Sequence, residues 1–158
     1  MGGDVVRLPL ILVALSTAAL AGAADARQSS SPYRWHATND NQSAQYGMPD
    51  SDDRALRIDC EASGALSVMG PTGYDGAAGD TLSVMLQGRG GRRAMTGTVI
   101  ELGDGYNFFV EIAPTDDLVA TLLADQPVTI GSAGDEWTVP AQGAASALRP
   151  VLATCAGR

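Results

Sequence analysis

Between positions 55 and 60 apolar and polar side chains alternate, and Leu56, Ile58 and Cys60 fall on one face. A period of two with a single apolar face marks a half-buried strand. Gly64 turns the chain, and Leu66 and Val68 then carry the alternation through residues 65–69. Residues 82–86, 93–102 and 106–112 read as further strands. Glycine-rich breaks at 70–80, at Gly88-Arg89-Gly90-Gly91 and at Gly103-Asp104-Gly105 separate them, the last being a tight hairpin signal. Upstream, a short strand around Trp35 leads into a stretch rich in Asn, Asp, Gln and Ser, which reads as a loop through Gly47-Met48-Pro49 to Asp53.

After Ile112 the period lengthens. Thr115-Asp116-Asp117 offers a helix N-cap with acidic residues in the first turn, where they favour the helix dipole. Leu118, Val119, Leu122 and Leu123 supply the apolar face. Pro127 closes that element, and 128–130 with 137–139 form a last hairpin around Gly134-Asp135. Residues 144–155 then place Ala147, Leu148, Val151, Leu152 and Cys155 at helical spacing, with Pro150 either kinking the helix or marking its start. Six to seven short strands with two short helices near the C-terminus predict an α+β domain, built on a mostly antiparallel sheet or a small β-sandwich.

The N-terminus has the layout of an export signal. Arg7 precedes an apolar run from Leu8 to Leu20, and small residues follow, with Ala24-Asp25-Ala26 placing a cleavage before Arg27 and Ala21-Gly22-Ala23 offering an earlier one. The apolar run is shorter than the roughly 20 residues a membrane-spanning helix needs, so cleavage is expected and a stable anchor is not. The expected organisation is a signal peptide at 1–26, a flexible leader at 27–33 and a single disulfide-linked domain at 34–158.

Removing residues 1–26 takes away Arg7, Asp4 and Asp25 and leaves a net charge of −7. A chain this acidic is a poor partner for nucleic acid, whose binding rests on clustered cations, and for anionic membranes. Every strongly basic side chain is Arg, so lysine chemistry is excluded. The two cysteines, Cys60 and Cys155, have one possible pairing in an oxidising compartment and lack the C-x-x-C spacing of a redox site.

The runs Tyr46-Gly47-Met48-Pro49-Asp50-Ser51 and Leu56-Arg57-Ile58-Asp59-Cys60 resemble a group of small exported proteins of alphaproteobacteria. So do Ala113-Pro114-Thr115-Asp116-Asp117-Leu118, Val128-Thr129-Ile130, Trp137-Thr138-Val139-Pro140-Ala141, and Ala147-Leu148 ahead of Cys155. The layout is more distantly similar to invasion-associated locus B proteins and to VasI-type proteins linked to type VI secretion. The resemblance implies an exported, disulfide-bridged fold and transfers no catalytic residue.

No catalytic residue, metal site or cofactor is expected. His36 is the one histidine, next to Trp35, without a nucleophile-elbow motif. One histidine and two paired cysteines are too few for zinc. Asp50-Ser51-Asp52-Asp53 lacks the order of an EF-hand loop and reads as solvated. The segment Gly88-Arg89-Gly90-Gly91-Arg92-Arg93 is the one basic cluster. Its glycines allow backbone N–H groups to converge on an anion, and Arg89, Arg92 and Arg93 can clamp a carboxylate or phosphate, or form an exposed tip with solvated arginines. These residues are the candidate contact surface of an exported, periplasmic or secreted, non-catalytic binding or accessory module with an envelope protein or glycan partner. The alternatives are an envelope hydrolase using paired carboxylates and a lysozyme-inhibitor-like protein.

Overall fold

The computed structural model describes residues 31–158, with 104 excepted. The expected signal peptide and residues 27–30 of the expected leader lie outside the described residues. In chain order the elements are β1 (Arg34–Ala37), β2 (Ser43–Gly47), β3 (Arg54–Cys60), β4 (Leu66–Pro71), β5 (Thr81–Gly88), β6 (Gly91–Leu102), β7 (Gly105–Ile112), α1 (Asp117–Leu123), β8 (Val128–Ser132), β9 (Asp135–Val139) and α2 (Ala144–Ala156). All the strands join one antiparallel sheet in the order β1-β2-β3-β4-β7-β6-β5-β8-β9, curled into a half-barrel.

The α+β class and the antiparallel sheet stand, with corrections of detail. There are nine strands where six to seven were expected, and they form one sheet, which replaces the sandwich alternative. The segment read as a loop contains β2, whose Ser-Ala-Gln-Tyr-Gly sequence has no β-branched residue and shows the core only Ala44 and Tyr46. Tertiary pairing with β1 and β3 overrides that weak propensity. Of the two helices only α2 lies at the C-terminus, since α1 sits between β7 and β8.

The apolar face read from the alternation is the concave one. Leu56, Ile58, Leu66, Val68, Val84, Leu86, Phe108 and Ile130 are all essentially buried. Helix α2 covers the β1–β3 end of this face and α1 covers β5 and β8, and the two helices touch. Helix α1 has seven residues, too few to be stable alone. It is held by burying Leu118, Val119 and Leu122, each worth about 1.5–3 kcal/mol.

The curvature needs a glycine in the middle of β6. A Cβ on Gly97 would lie 2.7 Å from Val84 and 3.0 Å from Val110. As a result β7 and β9, with three strands between them, face each other across the bend, with the Phe108 and Trp137 ring centroids 6.2 Å apart. At the other end Tyr33, the last residue of the expected leader, packs edge-on against Tyr46 and donates its hydroxyl to Asp53. Trp35 donates Nε1–H to the carbonyl of Pro140 at 2.6 Å, tying β1 to the segment before α2.

Cys60, at the end of β3, is bonded to Cys155 in the last turn of α2, with Cα atoms 5.4 Å apart and a sequence separation of 95. Loop-closure entropy for a loop of this length sets a ceiling of about 4–5 kcal/mol. Replacing both cysteines by Ala should lower the unfolding free energy by about 2–4 kcal/mol in urea titrations. Ser67 on β4 has a fully buried Oγ with no partner among the described residues, and the strand register places it between Asp59 and Glu111. A buried hydroxyl without a partner is a net cost, so Ser67→Ala should raise stability by about 1 kcal/mol in the same titrations, where loss of a stabilising contact would lower it.

Candidate functional site

The basic cluster lies at the β5–β6 hairpin, where Gly88 pairs with Gly91 across Arg89-Gly90. Its tip rests on the first turns of α1. The Gly90 N–H donates to Asp117 Oδ2 at 2.9 Å and the Arg89 N–H donates to Thr121 Oγ1 at 2.9 Å. The Arg93 guanidinium bonds Asp116, which also caps the helix by accepting the Leu118 N–H at 2.9 Å. The glycines are required by this approach. A Cβ on Gly88 would sit 2.4 Å from Asp117 Oδ2 and 2.5 Å from Thr121 Oγ1.

The three arginines do not converge. Consecutive strand residues point to opposite faces, so Arg92 leaves Arg93 and crosses the convex face to meet Glu136 Oε2 at 2.6 Å. Two of the three are thus balanced by carboxylates of this chain. Arg89 is exposed and its side chain makes no ion pair among the described residues.

A second polar surface lies at the opposite edge of the sheet. A groove of about 580 Å³ follows β1 and β2, lined among others by Arg34, His36, Asn39, Gln45, Asp50 and Asp52. Gln45 is 9% exposed. His36 Nδ1 lies 3.2 Å from the Arg34 carbonyl. A carbonyl only accepts, so this contact forms with a proton on Nδ1. At one end the Thr38 hydroxyl donates to Asp40 at 2.6 Å. That bond, followed by one from the Gln42 N–H, holds the Asp40 carboxyl below its ordinary range. At the other end Asp52 is paired with Arg54 at 3.1 Å.

Two further carboxylates are engaged within the chain. Asp59 accepts from Arg57 Nε at 2.7 Å, and Arg57 also reaches Ser43 Oγ at 3.1 Å. Asp80 is held below the usual carboxylate range by the Ala77 N–H and the Tyr74 hydroxyl, which in turn raises the Tyr74 phenol. No group of three or more His, Cys, Asp or Glu able to hold a metal occurs among the described residues.

No family model, curated protein or solved structure matches the chain. The site is therefore defined by its geometry. Sequence reading singled out the arginine tip because it is locally basic and glycine-rich. It passed over the groove because the residues that line it are scattered from 34 to 52 and include a strand glutamine, Gln45, within a segment taken as loop.

The tip geometry separates the arginines by substitution. Arg93→Ala should cost about 1 kcal/mol, because it removes a part-exposed ion pair to the helix cap. Arg89→Ala should leave stability within about 0.5 kcal/mol of the wild type. Urea midpoints at constant m-value check both, and equal costs at the two positions would contradict the clamp.

Proposed function

We propose that this chain is an exported cell-envelope protein, cleaved after residue 26, that acts as a non-catalytic binding or accessory module with a protein or glycan partner. The observation that carries the reading is the buried Cys60–Cys155 bond, 7% and 3% exposed at its two residues. A disulfide of this kind persists in an oxidising compartment, and the small-residue site after the apolar N-terminal run supports export. No described helix is long and apolar enough to cross a membrane. The resemblance to small exported alphaproteobacterial proteins points the same way.

The binding reading rests on how the polar groups are used. Asp59 and Asp116 are part-buried carboxylates, and each is engaged by an arginine. A glycosidase acid pair instead needs two carboxyl groups facing a common substrate. The concave face is filled by the helices, which leaves hairpin tips, strand edges and the convex face for contacts. Arg89, at a hairpin tip with its charge unpaired among the described residues, is the contact residue of this reading. Arg92 and Arg93 hold the tip in place.

Crosslinking pull-down of the oxidised protein from the envelope fraction of its own organism tests this. The expected result is a discrete partner recovered by the wild type and reduced at least about tenfold by Arg89→Ala, the loss of one charge-assisted contact. Recovery of nothing, or recovery indifferent to Arg89, would overturn the tip as a contact surface.

A further inference from the structure

Strand register sets three polar side chains in one row on the convex face. Asp59 on β3 pairs with Ser67 on β4, and Ser67 pairs in turn with Glu111 on β7. Residues paired across antiparallel strands share a face, and neighbouring strands lie about 4.8 Å apart. The two acidic residues therefore stand about 10 Å apart at their Cα atoms, with the serine midway between them. Ser67 is 0% exposed, and its Oγ is a buried atom without a hydrogen-bond partner among the described residues. An orphaned hydroxyl is costly, and a ligand that bonds it recovers that cost. Arg57 Nε holds Oδ1 of Asp59 at 2.7 Å. Glu111 is exposed and makes no ion pair among the described residues. Two residues along the same strands, and so on the same face, Met69 is 9% exposed and pairs with the partly buried Phe109.

We infer that this row seats a primary ammonium on a methylene stem, the lysine side chain of a partner protein. Ser67 lies between two carboxylates, and ionised carboxylates only accept hydrogen bonds. The group that completes the row is therefore a donor and a cation. An ammonium has three donors, and Asp59, Ser67 and Glu111 present one acceptor each. Its compact charge suits a three-point seat, whereas a guanidinium is a flat fork suited to paired oxygens. The stem lies over Met69 and Phe109, as lysine stems do on apolar surface. Entry is from the Glu111 side, where the exposed side chain swings aside to admit the ammonium to Ser67. The occupant comes from outside the chain, which contains no lysine and has a formal net charge of −8.

This inference rests on the binding-module reading for its partner, yet its test needs no partner. Nα-Acetyl-lysine methylamide is titrated into the oxidised, isotope-labelled protein and followed by NMR, with the arginine and norleucine analogues as comparisons. The expected result is saturable shifts at the Ser67 amide and the Glu111 side-chain carboxyl, with a Kd of about millimolar order. The norleucine analogue, which lacks the amine, should not saturate the site. The arginine analogue should bind at least about threefold more weakly. Glu111→Gln should weaken binding about tenfold. Ser67→Ala should weaken it about threefold while leaving the domain at least as stable, because the orphaned hydroxyl is gone. A merely structural serine would not give that opposed pair of effects. No saturable shift up to about 50 mM probe, equal binding of either analogue, or unchanged binding in Ser67→Ala would overturn the assignment. Specific probe binding beside an empty pull-down would leave this seat standing and remove the Arg89 tip alone.

Discussion

An open sheet of nine strands with one apolar face has to cover that face, and the architecture follows from this requirement. The chain has two helices for the task, of seven and 13 residues, neither long enough to be secure on its own account. They serve because the sheet bends around them. Gly97 lets β6 press against Val84 and Val110, and the bend brings Trp137 onto Phe108. The helices thus occupy a trough, where each buries more than it would on a flat sheet. The Cys60–Cys155 bond fixes the far end of α2 to β3, so the cover cannot peel away from the C-terminus without breaking a covalent link.

The shorter helix needs a second restraint, and the β5–β6 hairpin provides it. Asp116 and Asp117, which favour the helix N-terminus electrostatically, also receive Arg93 and the Gly90 N–H. One pair of carboxylates thereby starts the helix and docks the hairpin. The feature that suggested an anion site is an anion site of an internal kind, with the protein's own aspartates as the anions. Arg89 stands outside that arrangement because only its backbone N–H is engaged, which separates the tip's structural part from the part free for contacts.

How much of this was legible in the sequence depended on the range of the forces involved. Leu56, Ile58 and Cys60 alternate because a half-buried strand must, and all three are buried. Asp116 caps α1 where the Thr115-Asp116-Asp117 signal suggested, because capping acts within two or three residues. The strand β2 was illegible, since Ser43, Gln45 and Gly47 are held there by their neighbours and not by propensity. The pairing of Arg93 with Asp116 spans 23 positions and that of Arg92 with Glu136 spans 44. Nothing local announces either, so a charge run that looked available was already balanced at two of its three arginines.

The same reasoning separates the side chains near the helices from those at the β1–β2 edge. Side chains near the helices are drawn into capping and docking, because α1 cannot stand without them. The edge formed by β1 and β2 is already secured on its concave side by Trp35, Ala44 and α2, and by the Trp35 bond to Pro140. Its outward side chains are released from structural duty.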